Sequence, residues 1–219
     1  MSRERTPLYR IPVWLPGLAG MLLSADVCAG TVISEVLYDA AATDNGNTFV
    51  ELHGTPGTVL DGLLLEGVNG TDGSVYRSVA LAGVIAADGV FVIADDSGDG
   101  TSQVGNADLV REVDFQNGPD SIVLRDAAGV LDALGYGDFA GAVFAGEGRA
   151  APDVPAGSSL ARRNPLLDTD DNLVDFLLLD LPTPGSVPVN PVPVPAAFGL
   201  FLWGMAGLAV VARRKPPVR

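Results

Sequence analysis

From Thr31 to Gly137 the chain is a succession of short apolar runs, and none is long enough or regular enough for a useful helix. "TVISEVLY", "TFVELHG", "GVFVIAD", "LVREVDF", "DSIVLRD" and "VLDALGYG" are rich in Val, Ile and Phe, with Gly, Asp, Asn and Pro between them. Such runs with turn residues at intervals are strand signals. "LVREVDF" alternates, with Leu109, Arg111, Val113 and Phe115 on one face and Val110, Glu112 and Asp114 on the other. Many short strands and no helical pattern before residue 196 predict an all-β antiparallel sandwich or barrel. About 160 residues suffice to bury a core.

Charge narrows the partners. Between residues 30 and 190 there are six arginines, no lysine and 25 acidic residues. A surface of that sign repels nucleic acid phosphates, which argues against a nucleic acid partner. Both ends are basic instead: Arg3, Arg5 and Arg10 at the start, Arg213, Arg214, Lys215 and Arg219 at the finish.

Residues 1–29 read as a signal peptide. A basic opening precedes the apolar "IPVWLPGLAGMLLSA", and small residues at Val27 and Ala29 place cleavage between Ala29 and Gly30. Cys28 is the single cysteine, and its flanks lack a lipobox. Cleavage would leave a mature chain with neither a disulfide nor a thiol nucleophile.

The C-terminal end has three parts. Residues 188–195 form a Pro/Val linker, extended because proline disfavours helix at the residue before it. Residues 196–212 carry no charge and are at the short limit for a transmembrane helix. Arg213, Arg214 and Lys215 in the 213–219 tail then act as a stop-transfer cluster on the cytoplasmic side. The motif Val192-Pro193-Val194-Pro195-Ala196 ahead of such a helix resembles the VPxPA variant of PEP-CTERM sorting signals. That resemblance implies an exosortase-type processing protease as partner, and display on the cell surface or in the extracellular matrix of a Gram-negative bacterium. Exopolysaccharide or other surface proteins would be the neighbours there. A permanent single-pass anchor is the alternative. Leu181-Pro182-Thr183-Pro184-Gly185 is not a sortase signal, because proline stands where sortase needs threonine.

Residues 30–187 resemble a lamin-tail domain. The resemblance rests on "VISEVLYDA…TDNGNTFVELHG", "GVFVIADD", "FQNGPDSIVLRDAAGVLDALGYG" and "SSLARRN…DTDDNLVDFLLLDLPTPGS", in that order. It implies an immunoglobulin-like antiparallel β-sandwich. It departs at Leu60-Asp61-Gly62-Leu63, where the family often has tryptophan. Trp14 and Trp203 both lie outside the domain, so the core must be made of Phe, Leu, Val and Ile.

The candidate chemistry is sparse. Glu35 and Glu51 stand centrally in the first two strands, where the family keeps acidic residues. They read as structural carboxylates held by Arg162 or Arg163, with a general acid/base pair as the rival. His53 is the only histidine, so no multi-His metal site or spare-histidine triad can form; it is expected on a surface or loop. Gly135 to Ala140 fits G-x-G-x-x-A, but no phosphate-binding helix follows, so it reads as a strand end and turn. Asp95, Ser97, Asp99 and Gly100 match the first half of a calcium loop, while the twelfth position is Asn106 rather than glutamate. Asp168, Asp170, Asp171 and Asn172 form a second acidic knot. For both knots polar turn chemistry is the simpler reading. The sequence thus points to a non-catalytic structural or adhesive module without a cofactor. The alternatives are a calcium-dependent carbohydrate-binding module and an accessory nuclease or glycosidase.

Overall fold

A computed structural model describes residues 30–187 of the 219. The signal peptide, linker, sorting motif, helix and basic tail expected at the two ends lie outside the described residues. No helix among the described residues is long and apolar enough to cross a membrane.

The strands are β1 (Val32–Leu37), β2 (Phe49–His53), β3 (Leu64–Asn69), β4 (Val75–Ala80), β5 (Val90–Asp95), β6 (Leu109–Arg111), β7 (Asp120–Arg125), β8 (Val130–Tyr136), β9 (Ser159–Arg162) and β10 (Phe176–Leu179). One short helix, α1 (Asn172–Asp175), precedes β10. A six-stranded sheet runs β10-β9-β1-β2-β5-β6, and a four-stranded sheet runs β4-β3-β7-β8. The fold is an all-β sandwich. It is not purely antiparallel, since β6 joins β5 in parallel.

Residues from both sheets fill the space between them. Ile33, Val50, Leu52 and Ile93 of the larger sheet meet Leu65, Ile122, Leu124 and Leu134 of the smaller. Two buried tyrosines join the Phe, Leu, Val and Ile expected of the core: Tyr38 and Tyr136 stack at 4.3 Å. Each hydroxyl keeps a partner, Tyr38 on Asp153 (2.8 Å) and Tyr136 on the Gln116 carbonyl (2.6 Å).

The larger sheet is also covered on its outer face. Leu37, Phe49, Val90 and Val92 form a second small core there, closed by Val104 and Val187. Strands buried on both faces have no polar side to alternate with, so β5 reads as the unbroken "VFVIA". The predicted run from Leu109 to Phe115 is shorter, ending as a strand at Arg111. The Asp95 carboxylate takes the amides of Val113 (3.0 Å) and Asp114 (3.1 Å), which pulls them out of strand pairing.

Candidate functional site

Glu35 and Glu51 are cross-strand partners in β1 and β2, and both are fully buried. Glu35 Oε1 accepts from the Ser159 hydroxyl (2.6 Å) and the Thr183 amide (2.8 Å), and Oε2 accepts from the Thr183 hydroxyl (2.7 Å). Glu51 Oε1 accepts from the Ser34 hydroxyl (2.7 Å), and Oε2 from the Gly185 amide (2.8 Å). The register shift between Ile33 and Glu35 is a bulge of the kind that re-aims side chains, and it turns Glu35 to the same face as Ser34 and Glu51. Burial, and then the charge of Glu35, push the Glu51 carboxyl up to about 7, against the lowering effect of Ser34 and Gly185.

The arginine partner expected for Glu35 is therefore corrected. Side chains alternate along a strand. Ser159 of β9 turns to the outer face and Glu35, while Leu160 packs in the core between the sheets. Arg162 is two residues beyond Leu160 and shares its direction. There it is fully buried, with Nη2 on both oxygens of Asp132 (2.8 and 2.9 Å). Its Nη1 meets Asp168 (3.1 Å) and Asp175 (3.0 Å), and its Nε meets the Ile33 carbonyl (3.0 Å). The guanidinium also lies over the Phe176 ring, at 4.7 Å. Burial pushes Arg162 down, but Asp132, Asp168 and Asp175 outweigh it and hold it above its ordinary value.

Glu147 is the fourth carboxylate of this centre. Its Oε2 is buried without a hydrogen-bond partner among the described residues, and burial together with Asp132 and Asp168 pushes the carboxyl up to about 8. Asp132, Glu147 and Asp168 bring one oxygen each within 4.8 Å of one another. Such spacing suits a hard cation, but both Asp132 oxygens and Asp168 Oδ1 already serve Arg162.

The calcium-loop candidates do not converge. Asp95 is buried, and its two oxygens accept from the amides of Gly46 (2.8 Å), Val113 and Asp114. Gly46 has φ +75°, and a Cβ there would collide with Ser97, which leaves glycine the fitting residue. Asp99 is exposed and caps its own turn through the Thr101 amide (3.0 Å) and hydroxyl (2.6 Å). Asp96 does the same for Gly98 and Gly100, at 2.8 Å each. These are Asx turns.

The second knot divides its labour. Asp168 joins Arg162, Asp171 pairs with Arg149 at 2.8 Å, and Asn172 is buried. Asn172 accepts from the Gly135 amide and donates to the Ala133 carbonyl, both at 2.8 Å, so it closes the free edge of β8. Gly135 and Tyr136 are the end of β8, as the strand-end reading requires. His53 ends β2 rather than lying in a loop; burial holds it below the ordinary histidine value, and its Nδ1 has no hydrogen-bond partner among the described residues. Cleavage at Ala29, the sorting motif Val192 to Ala196 and Arg213, Arg214 and Lys215 lie outside the described residues, which open at Gly30.

Sequence reasoning missed Asp132, Asp175, Thr183 and Gly185. Asp132 carried a signal: an acidic residue within the apolar run "VLDALGYG". Leu181 to Gly185, dismissed as a sortase signal, instead supplies donors to both buried glutamates.

Compared with protein-family models, curated proteins and solved structures, the chain matches none.

Proposed function

We propose that this chain is an exported module of lamin-tail, immunoglobulin-like type, displayed at the cell surface or in the matrix, with a structural or adhesive role and no catalysis of its own. One observation carries the non-catalytic reading: the Glu35–Glu51 pair. A hydrolytic carboxylate pair must reach substrate and water. Both glutamates are fully buried; their oxygens are met by the Ser34 and Ser159 hydroxyls of the sheet and by Thr183 and Gly185, which tie the 181–187 strap to it.

Export, exosortase-type sorting and a transient inner-membrane stage rest on the sequence at the two ends. The strap, tied down immediately before the linker at 188–195, would give a folded module a firm attachment point for a processed tail. A calcium-dependent carbohydrate-binding role has less support, since Asp95 is committed to backbone amides.

Intact mass measurement of the native protein, recovered from surface and membrane fractions, tests the proposal. The expected species begins at Gly30 and lacks Trp203. A full-length species confined to the cytosol would overturn the export reading. Hydrolysis of nucleic acid or glycan by the purified chain, lost in Glu51→Gln while its melting temperature holds, would overturn the non-catalytic one.

A further inference from the structure

The sandwich has four edge strands, β10 and β6 in one sheet, β4 and β8 in the other. β8 is closed by Asn172 and by the bridge from Tyr136 to Ala151. β6 has three residues, and β10 has four. β4 has six, and Val75, Ser78 and Ala80 on it are exposed. The Leu81 amide donates to the Leu63 carbonyl at 2.9 Å, just past the end of the β3–β4 pairing. Antiparallel pairs alternate between bonded and non-bonded positions. Leu65–Val79 is therefore a bonded pair, and the N–H and C=O of Ser78 and Ala80 point away from β3. No described residue meets them there.

That bare edge borders a groove of about 410 Å³ at the seam between the sheets. Val79 and Leu81 are its apolar part, and Arg77 and Arg111 are its cations. Arg77 reaches across to Glu112 at 2.8 Å. The Arg111 guanidinium bonds only the Val110 carbonyl (2.7 Å) and pairs with no carboxylate among the described residues. In a stretch with 25 acidic residues and six arginines, an unneutralised guanidinium beside free strand amides is a docking point for a carboxylate. No aromatic ring among the described residues lines the groove, so those residues offer no stacking platform for a sugar.

We propose that the groove between β4 and β6 docks an extended acidic peptide segment of a partner protein, which adds as a strand to the free edge of β4 and sets a carboxylate on Arg111. Main-chain bonds to Ser78 and Ala80 would supply affinity, and the arginine the choice of sequence. The inference is independent of where the protein is displayed.

The test uses the full chain and a dye-labelled peptide alternating threonine, valine and glutamate, followed by fluorescence anisotropy. The glutamate peptide should bind saturably. Its lysine counterpart, and a version with prolines at the bonding positions, should not. Arg111→Glu should weaken binding by at least about tenfold, because it sets like charges together. Ser78→Pro should do the same, since it deletes an outward amide that β3 does not use, and edge strands tolerate proline. Independently of any variant, the Ser78 and Ala80 amides should become protected from exchange when the peptide is added. The proposal is overturned by absence of saturable binding at millimolar peptide, by equal binding of the lysine peptide, or by an affinity unmoved in Arg111→Glu. It is also overturned if a uronate oligosaccharide occupies the groove and the acidic peptide does not.

Discussion

Asp132 of β8 and Arg162 of β9 meet between the two sheets, with one guanidinium nitrogen between both carboxylate oxygens at 2.8 and 2.9 Å. Both side chains are fully buried. The pair joins an edge strand of the small sheet to the large one, and Asp168 and Asp175 complete the shell around the cation.

Breaking such a pair from one side leaves an uncompensated buried charge. Arg162→Ala should therefore destabilise the domain by about 3–5 kcal/mol. Arg162→Lys should also lose stability, because a point charge cannot serve Asp132, Asp175 and the Ile33 carbonyl at once. Denaturant unfolding of the purified variants measures both. A melting temperature unchanged in Arg162→Ala would show that the centre contributes nothing.

Glu51 makes stability depend on pH. Its folded pKa is raised from 4.5 to about 7 by burial first, so the folded state holds a proton that the unfolded chain releases. The contribution is fully present below 4.5 and is lost as pH rises through 7, amounting to about 3 kcal/mol. Glu147 acts in the same direction up to about 8. The domain should therefore melt higher in mild acid than in mild alkali. Glu51→Gln should flatten the slope between 4.5 and 7 and leave the remainder due to Glu147. Thermal melts across that range read the difference directly.

The strap should be separable from the core. Gly185 has φ +82°, and a Cβ there would come within 2.9 Å of Asn106, whose side-chain amide holds the Pro184 carbonyl at 3.0 Å. Gly185→Ala should thus misplace the amide that serves Glu51, at a cost of about 1–3 kcal/mol for the unpaired buried acceptor. Thr183→Val removes the hydroxyl that serves Glu35 Oε2 and leaves that buried oxygen unpaired, again for about 1–3 kcal/mol. In both variants limited proteolysis should cut within 181–187 sooner, while the β7 amides keep their slow exchange. Simultaneous loss of β7 protection would mean that the strap and the core unfold as one.

The all-β class was legible in the sequence because six of the ten described strands fall on short runs rich in Val, Ile and Phe, set off by turn residues. β3 and β4 were not: "LLEGVN" and "VYRSVA" mix polar and apolar residues, since β4 is an exposed edge. β9 and β10 sat inside family motifs without reading as strands. Glu35 and Glu51 stand out in the sequence as carboxylates within strand runs, but the groups that meet them do not. The expected pairing gives Arg162 the wrong carboxylates, because its true partner Asp132 comes from the opposite sheet, and that meeting depends on a contact across 30 residues. Thr183 and Gly185 are farther still, 148 and 134 residues from the glutamates they serve.

The two aspartates of the "DDSGDG" loop should separate cleanly. Asp95 is a buried acceptor of three amides, so Asp95→Asn puts an NH₂ group against either the Gly46 amide or those of Val113 and Asp114. At least one buried donor is then unpaired, and the loss should be about 1–3 kcal/mol. Asp99 is exposed and uses only Oδ1, on Thr101, a bond that asparagine keeps, so Asp99→Asn should leave the melting temperature where it was. Calcium gives the second half of the test. A site that bound the native state would stabilise it by about 2.7 kcal/mol at a hundredfold excess over Kd. With Asp95 turned inward and Asp99 on its own turn, the loop presents no converging oxygens. Exchanging sodium for calcium at constant ionic strength should therefore shift the melting point no more than screening does. A calcium-specific rise that Asp99→Asn abolishes would show that the loop rearranges to bind the ion, and would put the metal-dependent binding module ahead of the structural one.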